Sequence, residues 1–210
     1  MKSTLDARQQ SMVGIAALGG AGEMEKLHAA LNKGLDDGLA VNEIKEVLVQ
    51  VYAYAGFPRS LNAIAVFQKV VDERKARGIT DTEGNNPSPL PKDRTSLEFG
   101  TENQTRLIGQ PVGGGIYDFV PAIDEFLKAH LFGDIFQRDN LDWKQRELAT
   151  VAMLAAIPGV NAQLQGHLAI AMHNGVTIEE LRSAASIIMT CLGKEYGDNM
   201  NRLIDLVDKR

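Results

Sequence analysis

Apolar residues recur every three or four positions over long parts of the chain, which is the spacing of one face of an α-helix. The pattern is plainest in the C-terminal third, where one apolar stripe stops at Pro158–Gly159 and the next stops at Asn174–Gly175. The residues of these two stripes are Leu148, Val151, Leu154 and Ala155, then Leu164, Leu168, Ala171 and Met172. Alternation with a period of two, which is typical of a half-buried strand, is absent from the sequence. We therefore predict an all-α fold.

Polar residues in front of the stripes mark predicted helix starts. Asp142 stands before one helix with Gln145 three positions later, and Thr177 stands before another with Glu180 at the same spacing. Such pairs form a capping box, in which two side chains satisfy free backbone N–H groups. We expect the same helical skeleton, with weaker caps, in the N-terminal part of the chain.

The chain also repeats itself. The stretch "LDARQQSMVGIAAL" (5–18) resembles "LDWKQRELATVAML" (141–154), an offset of 136 residues, and one extra residue in the next loop raises the offset to 137. The later pairs are Leu27 with Leu164, Gly38 with Gly175, Glu43 with Glu180, Gly56 with Gly193 and Asn62 with Asn199. We therefore predict two tandem helical units, residues 1–78 and 119–210.

Residues 79–118 between the units are predicted to be an irregular linker. The stretch "GITDTEGNNPSPLPKD" (78–93) is dominated by residues that favour loops. Further along, "TSLEFGTENQTRLIG" can form a short helix, and "FVPAIDEFLKAHLFG" restarts a helix with Pro121 near its first turn.

Composition narrows the function classes. The net charge of −5 argues against a nucleic-acid partner, which would need a basic face. A single cysteine, Cys191, cannot form an internal disulfide, so nothing indicates an oxidising compartment. The N-terminus has no apolar signal-peptide core, and no apolar run reaches the ~18 residues that span a bilayer. We predict a cytoplasmic protein without a membrane partner.

Two residues of the C-terminal unit are candidates for acid–base chemistry. Glu147 lies in an otherwise mostly apolar helix, where the alternative is a solvated first-turn acid favoured by the helix dipole. His167 shares a stripe with apolar residues, where the alternative is an ordinary core or rim histidine. Because a short loop joins their helices, antiparallel packing would bring the acid to the imidazole as a proton-transfer pair. No residues have convincing spacing for a metal site.

The stretch "YAYAGFPRSLNA" (52–63) crowds polar side chains where an apolar helix stops. Gly56 and Pro58 there are explained by a helix end followed by a new start. Tyr52 and Tyr54 point to different helix faces, and Arg59 is suited to hold a carboxylate, although a surface salt bridge is the commoner fate of an arginine. The stretch is therefore either a simple junction between two helices or one wall of a pocket.

Three stretches carry a family resemblance. "RELATVAMLAA", "QLQGHLAIAMHNGVTIEEL" and "EIKEVLVQVYAYAGFPRSLNA" resemble the carboxymuconolactone decarboxylase family, within the alkylhydroperoxidase-D-like all-α superfamily. The resemblance implies a lyase of aromatic degradation that acts without a cofactor on a small carboxylated lactone or related organic acid. The alternatives are another oxidoreductase or isomerase on this scaffold, or a non-catalytic relative that binds a small molecule.

The resemblance also bears on mechanism. Peroxidases of the superfamily use a C-x-x-C-x-x-x-H motif with an upstream glutamate, which Glu147 and His167 match. The two cysteine positions are occupied here by Val160 and Gln163. Without a thiol pair, peroxide reduction through a disulfide is not available. We expect Cys191 to be a small core residue rather than a nucleophile.

The family motifs are divided between the two predicted units. The second unit has Glu147 and His167, while the first has Ser11 and Ala30 at those positions but carries "YAYAGFP". The division predicts one composite site per chain, with Glu147 and His167 as catalytic residues. Its substrate-binding residues would be Tyr52, Tyr54, Arg59 and Asn62. The family's ring-shaped assemblies imply a homotrimer, a pseudo-hexameric ring of six units.

Overall fold

A computed structural model describes residues 4–209 of the 210-residue chain, and these residues form helices and loops without a strand. The predicted all-α fold is therefore confirmed. The α-helices are α1 (Ala7–Ala21), α2 (Met24–Asp36), α3 (Val41–Ala55), α4 (Phe57–Ala76), α5 (Ser96–Ile108), α6 (Ile116–Phe119), α7 (Pro121–Phe126), α8 (Trp143–Ala155), α9 (Asn161–His173), α10 (Ile178–Leu192) and α11 (Lys194–Asp208). A π-helical segment, Leu127–Ile135, follows α7.

The described residues form two compact units. One consists of the chain up to Asn85 together with the chain from Lys144 onward, and the other is Asn86–Trp143. These units are defined by contacts, whereas the predicted division into 1–78, 79–118 and 119–210 was defined by repeated sequence. The repeat boundaries stay a prediction.

Helices α1 and α8 form the centre of the first unit. Every residue from Ser11 to Gly20 and from Arg146 to Ala155 is buried, as expected for helices that are apolar almost all round. A methyl group placed on Gly20 would lie 3.1 Å from Met153 Cα, so the two backbones approach closely where a larger side chain would not fit. Around them, α3, α10 and α11 bury one face each.

The helix caps differ in part from the prediction. Thr177 caps α10 and forms a capping box with Glu180, as predicted. The expectation of weaker N-terminal caps is wrong at α1, where Asp6 Oδ1 accepts from Gln9 N at 2.8 Å and Gln9 Oε1 accepts from Asp6 N at 3.0 Å. Here a Gln at the third helical position completes the box as well as a Glu does.

The second unit contains the helix predicted near residue 96, which is α5, and α7 begins at Pro121 as predicted. Helix α5 packs against the π-helical segment through glycines. A methyl group on Gly100 would lie 1.6 Å from Lys128 O, and one on Gly133 would lie 2.2 Å from Ser96 O. The sequence pattern did not predict the π-helical hydrogen bonding. No helix of residues 4–209 combines the length and the apolar character needed to cross a bilayer.

Candidate functional site

The two candidate acid–base residues lie in contact. Helix α8 ends at Ala155 and α9 begins at Asn161, so a short loop returns the chain and brings His167 to Glu147. His167 Nδ1 and Glu147 Oε2 are 2.9 Å apart in a hydrogen bond. The Glu147 side chain is 0% exposed and that of His167 is 15% exposed, which excludes the solvated first-turn alternative for Glu147. Their catalytic role stays a prediction.

One oxygen of Glu147 is left over by this pairing. Glu147 Oε1 is buried and has no hydrogen-bond partner among residues 4–209. A buried polar atom without a partner costs about 1–3 kcal/mol, and more when it is charged. Unsatisfied groups of this kind are rare in folded proteins, and a catalytic role is one of their known explanations.

Tyr54 reaches the same place from α3. Its ring stands edge-on to the His167 ring, with centroids 5.6 Å apart and planes at 87°. Its hydroxyl is buried and has no hydrogen bond of acceptable geometry within the described chain. Burial raises the pKa of Tyr54, and the negative charge of Glu147 raises it further. The nearby Thr150 side chain, whose polar contact with the phenol falls short of hydrogen-bond geometry, and the positive charge of Arg146 act in the opposite direction. The phenol therefore stays protonated and can donate a hydrogen bond.

The structure thus brings together residues from both predicted units. Tyr54 comes from the first, while Glu147 and His167 come from the second. Two of their buried polar atoms, Tyr54 Oη and Glu147 Oε1, have no partner in the described part of the chain. That these residues form one composite site stays a prediction.

Arg59 has a structural partner that the sequence did not reveal. Its Nη1 donates to Gly20 O, 2.9 Å away at the C-terminal end of α1. Its stem lies along Gly22, where a methyl group would be 3.5 Å from Arg59 Nε. Gly22 has φ of +81°, a conformation that glycine adopts at little cost. The other guanidinium nitrogens of Arg59 form no hydrogen bond within residues 4–209, so the role in anion binding stays a prediction.

The remaining predicted wall residues lie elsewhere on the helix ends. Tyr52 stacks on Phe57 across the α3–α4 junction, with ring centroids 4.3 Å apart and planes at 8°. Gly56 between them has φ of +86°. Asn62 is exposed on α4. No hydrogen bond or ring contact of the described residues joins Asn62 to the Glu147–His167 pair, and its predicted role in substrate binding is untested.

A buried polar cluster that was not predicted from the sequence lies beside the pair. Arg146 and Gln50 are 0% exposed and Glu46 is 2% exposed. Arg146 Nη2 donates to Glu46 Oε1 at 3.0 Å, and Arg146 Nη1 donates to Gln50 Oε1 at 3.0 Å. The spacing of Glu46, Gln50 and Tyr54, four residues apart on α3, was the signal that could have revealed it.

The first predicted unit contains no acid–imidazole pair at the equivalent place. Ser11, which stands where Glu147 does in the second predicted unit (119–210), donates to Asp37 Oδ2. Burial acts to raise the pKa of Asp37, but hydrogen bonds from Lys33 and Ser11 outweigh it and lower the pKa. The counterpart of the site is therefore a structural contact near the end of α2.

Cys191 is half-buried, which corrects the expectation of a core position. It borders a cleft of about 650 Å³ between α1 and α10. Burial raises the pKa of its thiol, and the nearby Lys26 only partly opposes this. The thiol is thus mostly protonated at neutral pH and a poor nucleophile. In the described part of the chain, no group of three or more His, Cys, Asp or Glu side chains is arranged to hold a metal ion.

Comparison with known proteins shows the family to which the chain belongs. A 4-carboxymuconolactone decarboxylase from Acinetobacter baylyi is 28% identical over 103 residues, which cover 47% of this chain and 74% of that protein. The model of the carboxymuconolactone decarboxylase family matches residues 1–69 and 121–195, two segments consistent with the two tandem helical units. With most of its length matched in this way, the chain belongs to the carboxymuconolactone decarboxylase family.

Proposed function

We propose that the protein is a cofactor-independent carboxy-lyase acting on a small carboxylated lactone or a related organic acid. The observation that carries the proposal is the buried Glu147–His167 hydrogen bond beneath the edge of Tyr54. Membership of the family supports a related function, and the similarity to the 4-carboxymuconolactone decarboxylase of Acinetobacter baylyi suggests this reaction class.

The proposed reaction removes the carboxylate of the substrate as CO2 and replaces it with a proton. The C–C bond to the carboxylate breaks, CO2 leaves, and the electron pair moves onto the carbon skeleton conjugated with the lactone carbonyl. In the last step a proton is added to a carbon atom of the resulting anion, and the double bond shifts. The Glu147–His167 pair carries that proton, since an imidazole held by a carboxylate is a common acid–base unit.

The other residues hold the substrate in this proposal. Arg59 is fixed by Gly20 O through one nitrogen and has nitrogens left to bind a carboxylate. Tyr54 stays protonated and donates to a substrate oxygen, while Glu147 Oε1 accepts from a protic group. Tyr52 and Asn62 belong to the outer wall. The buried setting of Glu147 also favours loss of CO2, because a carboxylate is less stable away from water.

The test compares Glu147→Gln with the parent chain in release of CO2 from 4-carboxymuconolactone. The substitution keeps the shape and removes the charge, so we expect turnover to fall ~10²-fold or more, the scale of acid–base catalysis. Asp81→Asn is the matched control, because it changes a mostly buried carboxylate that pairs with Arg74 at 2.8 Å. Equal turnover in Glu147→Gln and the parent chain would exclude the assigned role.

A second candidate is a small-molecule binding protein without catalysis. The unpartnered Tyr54 Oη and Glu147 Oε1 favour a ligand but do not by themselves require a reaction. Binding of 4-carboxymuconolactone that Glu147→Gln weakens, without release of CO2 by the parent chain, would select this candidate. A related lactone turned over without loss of CO2 would instead indicate an isomerase.

A homotrimer in the cytoplasm completes the proposal. Large apolar side chains are exposed on α4, where Phe57 and Leu61 are each 61% exposed. In the second unit Phe119 is 86% exposed and Phe126 is 65% exposed. Apolar surface of this kind supports association with other copies of the chain.

A further inference from the structure

We propose that Gln50 is a positioning residue, which sets the register of α3 on α8 and so holds Tyr54 against the Glu147–His167 pair. The inference rests on the proposed function only in treating these three residues as the working site. The contacts of Gln50 can be tested without any substrate.

Both ends of the Gln50 amide form hydrogen bonds. Its Nε2 donates to Arg146 O at 3.0 Å and to Thr150 Oγ1 at 2.8 Å, and its Oε1 accepts from Arg146 Nη1 at 3.0 Å. All of these partners lie on α8. A glutamine has two N–H donors, so both are engaged with the same neighbouring helix.

These hydrogen bonds hold α3 against α8 and also fix the position of α3 along the axis of α8. Hydrogen bonds between N and O weaken outside about 2.7–3.2 Å, whereas one residue of helix rises by about 1.5 Å. A slip of α3 by a single residue would therefore break the bonds of Gln50. Apolar packing alone is less directional and would tolerate such a shift better.

The register is transmitted to the site over short steps. Tyr54 lies one turn beyond Gln50 on the same face of α3. Glu147 directly follows Arg146 on α8. Holding Gln50 on Arg146 and Thr150 therefore holds the Tyr54 ring at its edge-on contact with His167, with ring centroids 5.6 Å apart.

Stability alone does not account for so many buried polar groups. Arg146 and Glu46 form an ion pair at 3.0 Å with side chains 0% and 2% exposed. The desolvation cost of a buried ion pair often cancels its attraction, and apolar residues of similar volume serve as well or better. In some proteins such groups are retained because their directional contacts specify one arrangement.

The other half of the chain provides an internal comparison. By the predicted repeat, the α3–α8 crossing corresponds to the crossing of α10 with α1, two helices that pack together. The counterparts of Glu46, Gln50 and Tyr54 are Ser183, Ile187 and Cys191, and those of Arg146 and Thr150 are Gln10 and Gly14. Gln10 there bonds to Leu5 O and Ser183 bonds to Thr4. The α1–α10 crossing therefore forms without a buried polar cluster of this kind. The acid–imidazole pair is missing at the same crossing.

The experiment measures the nuclear Overhauser effect between the ring protons of Tyr54 and His167 in the full-length chain. Tyr54→Phe and His167→Gln assign the cross-peak. Gln50→Met removes the amide but keeps an unbranched side chain of similar length, and we expect it to reduce the cross-peak at least two-fold. Thr150→Val removes one of the bonds at nearly constant volume, and a smaller reduction is expected.

Asp81→Asn is the control, since it breaks the largely buried ion pair of Asp81 with Arg74 on α4 and leaves every side chain of α3 and α8 unchanged. Its cross-peak should keep the parent intensity. A cross-peak of parent intensity in a folded Gln50→Met chain overturns the proposal. Should Gln50→Met not fold, unchanged intensity in Thr150→Val overturns it equally. Loss of the cross-peak with unchanged turnover would leave the positioning role of Gln50 intact and refute the role in substrate binding that the proposed function gives to Tyr54.

Discussion

Replacing Tyr54 with Phe tests the burial of its hydroxyl directly. The substitution removes the unpartnered oxygen and keeps the ring against His167. Below pH 10, the ordinary pKa of tyrosine, the phenol is protonated in both the folded and the unfolded chain. Above pH 10 the unfolded chain ionises, while burial and the charge of Glu147 raise the pKa of Tyr54 in the folded chain. Ionisation of Tyr54 therefore does not affect stability well below pH 10, and it lowers the stability of the folded chain as the pH rises above 10.

The magnitude follows from linkage between ionisation and folding. Each pH unit above the unfolded pKa costs about 1.4 kcal/mol until the folded group ionises. Between pH 8 and pH 11.5 the parent chain should lose about 2 kcal/mol more than Tyr54→Phe. At pH 8 the variant should be at least as stable as the parent, because an unsatisfied buried hydroxyl costs about 1–3 kcal/mol.

Urea unfolding followed by circular dichroism at the two pH values measures both quantities. All other ionisable groups are common to the two chains, so their contributions cancel in the comparison. Tyr196→Phe, in the same compact unit, is the matched control and should follow the parent chain. Parallel pH dependence of the parent and Tyr54→Phe would show that the hydroxyl reaches water and that our reasoning on the site is wrong.

Two further predictions concern the thiol and the assembly. Cys191→Ala should leave CO2 release from 4-carboxymuconolactone within a few-fold of the parent, because burial raises the pKa of the thiol and Cys191 lies at the α1–α10 cleft; a loss of activity in a folded variant would place the residue in the site. Light scattering at micromolar concentration should give the mass of a trimer, and Leu61→Asp, which puts a charge on the exposed face of α4, should shift the mass downward; a monomeric parent chain would rule the assembly out.

Local sequence patterns determined the helices of this protein. The three-to-four-residue spacing of apolar positions predicted the helical fold, because one buried stripe is enough to select a helix over a strand. The Thr177–Glu180 box at the start of α10 was equally local, since it involves residues three apart. The Asp6–Gln9 box at the start of α1 is equally local, although a weaker cap was predicted there. The π-helical segment had no such signal, because its contact with α5 through Gly100 and Gly133 joins distant parts of the second unit.

The candidate site was only partly determined by sequence. Glu147, His167 and Tyr54 were named from motifs, but the motifs gave no distances between residues on different helices. Tertiary packing decided that the Tyr54 ring contacts the His167 ring, and that Arg59 donates a hydrogen bond to Gly20 O. It also created the Gln50 contacts with α8, which join residues 96 and 100 positions apart. The buried face of a helix follows from the local spacing of its apolar residues. The register between two helices depends on side chains from both, so the sequence of one helix does not reveal which face of another helix it will contact.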